Sequence, residues 1–378
     1  MSRFLTAAAG LTAAILAGTA APAQAAPARL HHPAGPTFVY IVNYNHDSLV
    51  GYREHRDGSL RRCAAARTPA GPEAIAITGG RLVITADSGA NAVSSYRINP
   101  VTGALHAVGT WREGPGTSPF SVSVTPGGHF VYVANSGNAT LGAYRIAANG
   151  RLIRAATVRE APGASPYHIA LSPQGQFAYV ANFGNDTISI YHRTPGQAAL
   201  SLAGVYHEPA GDGPYDLATG PDGRYLYVAD FRSNVLLVLK IGKNGLLSMR
   251  DRVTEPFDHH PDSLVIDSSG RYLFTANTSA NDVTAFRIDQ KTGVLTRAGR
   301  VPTGGYPFSL TLDRAARFVY AVNFGSSSIS GYRLDRKTGL LTPVGTTVEP
   351  GAAGPYGIAA VTLPGRTGAG RPVSKKTR

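Results

Sequence analysis

One cysteine, Cys63, is the only thiol in the 378-residue sequence, so no internal disulfide can form. No motif surrounds it, and it reads as a small packed side chain rather than a nucleophile. A chain without disulfides rests on its core and its backbone ladders. There is no Gly-rich phosphate loop, no GxSxG elbow, no HExxH pair and no cluster of Cys ligands. The chemistries those motifs carry are therefore not expected, and neither is a cofactor. Apolar patterning of period 3.6 is also missing, which excludes a helical solenoid. Beyond the first twenty residues no apolar run reaches bilayer-spanning length.

The N-terminus has its own character. Arg3 precedes the small, apolar run 4–19, and Ala23-Gln24-Ala25 forms a small-x-small cleavage site before Ala26. This pattern predicts a secretory signal peptide over 1–25 and an exported, secreted mature protein. Residues 26–36 read as a linker. The formal charge is +13, but Arg3 and five basic residues of the segment 363–378 supply six of those charges. That segment is rich in Gly and basic residues, lacks acids and reads as a disordered tail able to touch an acidic cell envelope. The remaining charge is too dispersed for nucleic-acid binding.

What the sequence has in abundance is repetition. A β-type run ending in Asn or Asp recurs seven times, at Asn43, Asp87, Asn135, Asn182, Asp230, Asn277 and Asn323. Prolines recur in step at Pro72, Pro119, Pro166, Pro214, Pro261, Pro307 and Pro355. A Gly-containing turn followed by Leu, such as NGLL at 244–247, is the third marker. The near-constant spacing implies a propeller or a solenoid. One unit, 166–210, reads as four strands: 168–172, 177–183, 187–193 and a fourth near 202–208. Four short antiparallel strands per unit make a propeller blade. The fold class is therefore all-β, a seven-bladed β-propeller over 37–362. The repeat starts within a second strand and ends after a first one, at 355–361. The C-terminal strand is thus expected to complete the first blade and latch the ring.

In such a ring the first strand of each blade lines the channel, and the prolines mark one face. Two residues after each proline stand Ala74, Ser121, His168, Asp216, Ser263, Ser309 and Gly357. His168 and Asp216 break a column of small residues in consecutive copies, which makes them catalytic candidates. Tyr167, Tyr215, Tyr306 and Tyr356 stand nearby, and the next loop adds Asp258, His259, His260 and Asp262. A channel mouth with His, carboxylates and tyrosines is a candidate ligand site, here Tyr167, Tyr215, His259, His260, Asp262 and Tyr356. Two readings stay open for His168 and Asp216: chemistry, or hydrogen bonding within the channel. An exposed loop is the favoured reading of His259 and His260. A His/Asp cluster can bind a divalent metal, but the spacing with Asp262 lacks a rigid i,i+4 placement and supports none, so no metal is assigned.

The unit P-x-x-hydrophobic-PDGR-Y-x-Y-V-A-N, followed by N-D-T-I-x-x-Y and D-x-x-T-G-x-L, resembles the lactonase-type propellers. That family includes propeller 6-phosphogluconolactonases and carboxymuconate-cyclase-like proteins, and the unit also resembles YVTN-repeat surface propellers. The resemblance covers about 37–362. It implies hydrolysis or isomerisation of an extracellular lactone or cyclic compound at the proline-face mouth. The family's P-R-H and N-E signatures are altered here: Pro166-Tyr167-His168 has Tyr for Arg, and Asn182-Phe183 lacks the Glu. The copy Pro261-Asp262-Ser263, with Asn277-Thr278, lacks both. The alternative is a non-catalytic propeller that binds a small ligand or an envelope partner. A monomer is expected in either case.

Overall fold

The computed structural model describes residues 34–364, apart from 80, 210 and 255–258. The expected signal peptide, most of the linker and nearly all of the basic tail lie outside the described residues, as does Asp258. Twenty-eight strands, β1–β28 in chain order, form seven four-stranded antiparallel sheets among them. No helix among the described residues is long and apolar enough to cross a membrane.

The blade read from the sequence is formed by β12 (Pro166–Leu171), β13 (Phe177–Asn182), β14 (Thr187–Arg193) and β15 (Leu200–His207), in that order from channel to rim. The second strand of each blade is buried on both faces, whereas β15 alternates exposed and half-buried positions. Both faces of a second strand pack against neighbouring blades, so its residues form a continuous apolar run. Tyr179 and Ile190 of one blade meet Val228 and Leu237 of the next in one such cluster.

The recurring motifs explain one another. In four blades the hydroxyl of the motif tyrosine donates to a glycine carbonyl in the turn of the following blade, as Tyr40 does to Gly103 (2.7 Å) and Tyr227 to Gly293 (3.1 Å). Gly103 sits at φ +78°, and a Cβ there would meet the Phe38 ring at 2.4 Å. Both facts demand glycine at that point. In five blades an Asn or Asp in the turn after the second strand reaches the residue before the next proline. Gly213 N–H donates to Asp186 (2.9 Å), His260 N–H to Asn234 (2.7 Å) and Tyr306 N–H to Asn281 (2.7 Å).

The first blade is composite. Its order is β28 (Pro355–Pro364), β1 (Ala34–Asn43), β2 (Ser48–Glu54) and β3 (Leu60–Arg67). The C-terminal strand therefore supplies the channel-lining position, as the repeat phasing predicts. Both closing strands run slightly beyond the expected limits of 37 and 362. Cys63 departs from expectation: it is exposed on β3, and partial burial pushes its thiol up, away from the reactive thiolate.

Candidate functional site

Each channel-lining strand starts on its proline, where the missing N–H costs no ladder bond. These strands are β4 (Pro72–Thr78), β8 (Pro119–Val124), β12, β16 (Pro214–Thr219), β20 (Pro261–Ile266), β24 (Pro307–Leu312) and β28. In all seven the pairing with the second strand skips one residue directly after the proline. Such a bulge leaves one residue unpaired and re-aims its side chain. The re-aimed residues are Glu73, Phe120, Tyr167, Tyr215, Asp262, Phe308 and Tyr356, and all seven line one cavity of about 310 Å³ at the channel mouth. His168 and Asp216 line the same cavity.

The mouth is aromatic. Phe120 stacks on Tyr167 with ring centres 4.3 Å apart, and Tyr167 stacks on Phe183 at 4.6 Å. Phe308 lies against Tyr356 at 4.8 Å. The Tyr215 and Tyr356 hydroxyls meet across the channel at 3.3 Å. Burial holds both phenols well above their ordinary range, so they stay protonated donors. Arg232 lies over the Phe183 ring, 3.8 Å from its centre, and adds a cation at the rim.

His168 and Asp216 are brought together: Nδ1 lies 2.9 Å from Oδ1. The Leu217 N–H has two acceptors within reach, Asp216 Oδ1 at 2.7 Å and His168 Nδ1 at 3.3 Å. The shorter contact is to the carboxylate, which leaves Nδ1 free to carry a proton and donate it to Oδ1. That tautomer leaves a lone pair on Nε2. Burial pulls the His168 imidazole down, but the Asp216 charge and hydrogen bond outweigh it, and the net shift is upward. About a third of the His168 side chain remains accessible, and Asp216 is more deeply set.

The same column also has a structural role. Asp216 Oδ2 accepts the Leu264 N–H of the next inner strand at 2.8 Å, and Ser263 accepts the Leu310 N–H at 3.3 Å. These side chains clasp neighbouring inner strands, so the hydrogen-bonding reading holds alongside the cavity position.

Two carboxyls, half-buried Glu73 and buried Asp262, complete the mouth. Asp262 is 3% exposed, and burial followed by the nearby Asp216 charge pushes it well up. Burial raises Glu73 to about 7, although the Ser88 hydroxyl donates to it at 2.7 Å.

The remaining candidates fall elsewhere. His259 is buried rather than on an exposed loop, with Nε2 3.2 Å from an Arg300 guanidinium nitrogen, and it does not line the cavity. His260 and Tyr306 occupy the left-handed position before the proline, at φ +47° and +53°. The His260 ring is drawn onto Phe231 at 4.6 Å and its Nδ1 lies 2.7 Å from Ser279, whereas Tyr306 is exposed. None of the three belongs to the mouth. Glu73, Phe120 and Phe308 were not singled out from sequence, although their place directly after a proline marks them. No three metal-ligating groups converge at the mouth among the described residues; the cluster that does converge is Glu208, Asp212 and Asp230, in and near the loop before β16.

No curated protein matches the chain. Among solved structures it is similar to a periplasmic gluconolactonase from Pseudomonas aeruginosa, with 22% identity and a TM-score of 0.77 over 87% of this chain and 100% of the other. A putative 6-phosphogluconolactonase from Bacteroides fragilis gives 19% and 0.77, over 86% and 98%. A protein from Lactobacillus plantarum gives 22% and 0.78, over 86% and 99%. At these identities the likenesses speak for the fold. The family described as lactonase, seven-bladed β-propeller, matches over residues 11–118 and 110–355. A match over so much of the repeat makes the chain a member of the seven-bladed β-propeller lactonase family.

Proposed function

We infer that the protein is an exported hydrolase that opens a small cyclic ester at the proline-face mouth. The observation that carries this reading is the His168–Asp216 pair in the cavity wall, with Nε2 left as a base. A cavity of about 310 Å³ suits a monocyclic compound, and the aromatic rings offer it flat faces. Neutral His168 takes a proton from water through Nε2 while Asp216 holds the ring through Nδ1. The resulting hydroxide adds to the lactone carbonyl carbon, and the charge gathers on the carbonyl oxygen, towards which the Tyr215 and Tyr356 hydroxyls can donate. The ring C–O bond then breaks, and the leaving alkoxide takes the proton back from His168. The similarity to a periplasmic gluconolactonase, and the signal-like N-terminus, support action outside the cytoplasm.

The alternative is a non-catalytic propeller that holds a small ligand or an envelope component at the same mouth. The engagement of Asp216 Oδ2 by the Leu264 N–H favours it, because that bond builds the pair into the wall. A hydrolysis screen of the purified protein against a lactone panel separates the two. Turnover lost in His168→Ala but kept in Ser309→Ala supports the hydrolase. Ligand binding without turnover in the unaltered protein supports the alternative.

A further inference from the structure

The last residue of the second strand has a fixed task in several blades. It is an asparagine whose amide donates to a glutamate placed directly after the preceding outer strand. Asn43 donates to Glu349 at 2.9 Å, Asn135 to Glu113 at 3.1 Å and Asn182 to Glu160 at 3.4 Å. At the end of β17 (Tyr225–Asp230) the repeat keeps the glutamate, Glu208, but replaces the amide with a carboxyl, Asp230. The donor has become a second acceptor.

The other aspartate of this column shows what is missing. Asp87 accepts from the Thr85 hydroxyl at 2.9 Å and the Ser94 hydroxyl at 2.6 Å. The positions equivalent to those donors are Val228 and Leu237 in the Asp230 blade. Asp230 is 0% exposed, and no hydroxyl, amide or cationic donor reaches either of its oxygens, which face only the Glu208 carboxyl. Both oxygens of Glu208 and Oδ2 of Asp212 are buried and lack such a donor too. Among the described residues the one ionic partner in the cluster is Arg252, at 3.2 Å from Asp212 Oδ1.

Three carboxyls buried together, with five oxygens lacking donors, are unstable as they stand. One ligand oxygen from each lies within 4.8 Å of the others. Oxygens about 2.4 Å from a shared calcium-sized ion stand at most about 4.8 Å apart. We propose that Glu208, Asp212 and Asp230 form a structural site for one hard divalent cation of the Ca²⁺ type. The ion stands in for the amide donor of Asn43, Asn135 and Asn182, and it ties the end of β17 to Glu208 and Asp212 ahead of β16. It braces the mouth residues Tyr215 and Asp216 from behind, away from the cavity.

The test is calorimetric titration of chelator-stripped full-length protein with CaCl₂ at neutral pH, alongside thermal unfolding in CaCl₂ and in EDTA. The expected result is one ion per chain and a Tm at least about 2 °C higher with Ca²⁺. Asp230→Asn restores the amide, so it should fold and match or exceed the unaltered protein in EDTA. It should lose at least tenfold in Ca²⁺ affinity. Asp212→Asn should lose affinity similarly and covers the case in which the first variant misfolds. Absence of Ca²⁺ binding and of any Tm shift in the unaltered protein overturns the proposal. Unchanged affinity in a folded Asp230→Asn or Asp212→Asn variant overturns it equally, as it would mean that Ca²⁺ binds elsewhere.

Discussion

At the proline end of the channel the inner strands present Glu73, His168, Asp216, Asp262 and five aromatic rings. At the opposite end the same strands present Val124, Leu171, Ala218, Thr219, Ile266 and Leu312, and no ionisable side chain lines that opening among the described residues. The opposite opening is the larger, about 500 Å³ against about 310 Å³. Size therefore does not locate the site. The difference comes from the bulge after each proline, which turns an extra side chain into the mouth; farther along each strand the ladder is regular, and the following residue, Ile169 or Leu217, is committed to the core between blades.

The strongest way to break this contrast is to remove a wall that both ends share. Deleting 355–364 takes away Tyr356 and strips β1 of its inner partner. Circular dichroism should show no cooperative unfolding transition for that truncation; a Tm like that of the full protein would refute closure by β28. The next largest effect belongs to the mouth alone. With a lactone that is turned over, His168→Ala should lower kcat/KM by about 10² to 10⁴, the range for loss of a general base. Thr219→Val at the far end, which removes a hydroxyl bond to Leu171 O (2.8 Å), should leave kcat/KM nearly unchanged. Equal losses at both ends would erase the distinction.

Proton linkage sharpens the contrast further. The upward shift of Glu73 means that its protonated form is favoured by folding. Its contribution is full below about 4.5 and is lost as the pH rises through about 7. Thermal unfolding across that window should show a decline of about 2 to 3 kcal/mol that Glu73→Gln flattens. His168 shifts upward as well, so its stabilising contribution is present below its ordinary value of about 6.5 and fades through the higher folded value. As a base it must be neutral, so kcat/KM should rise with pH to a plateau, with an inflection above about 6.5. An inflection below that value would remove Asp216 as its partner. The smallest effect is expected for Ser309→Ala, the same column position with no catalytic role, where turnover should change less than twofold.

The sequence exposed the repeat because one packing problem is solved seven times. The tyrosine hydroxyl, the glycine turn and the second-strand asparagine meet the same neighbours in successive blades, as Tyr179 with Gly245 and Tyr320 with Gly58 illustrate. The pairing of His168 with Asp216 was legible for the same reason, since one repeat of separation becomes adjacency in the ring. Glu73, Phe120 and Phe308 were not, because strict strand alternation puts only every second residue on a face, and the bulge breaks that alternation. Tyr306 and His260 misled in the opposite sense. They stand beside the mouth residues in sequence, but a left-handed backbone turns them out of it. His259 was hidden for a different reason: its partner Arg300 lies 41 residues away, outside any local pattern.

The composite first blade also dictates a timetable. Thr37 and Thr362 share a hydrogen bond across 325 residues, so the inner edge of β1 waits unpaired while six complete blades are synthesised. Each of those blades closes from hairpins within one repeat, but the first closes only when the ring already exists. Contacts so distant in sequence are slow to form, and an open strand edge invites pairing with another chain meanwhile. A circular permutant that joins the two ends and opens the chain in the turn at 195–199 would make β28 and β1 consecutive. It should refold faster and aggregate less than the natural order, while reaching the same ring.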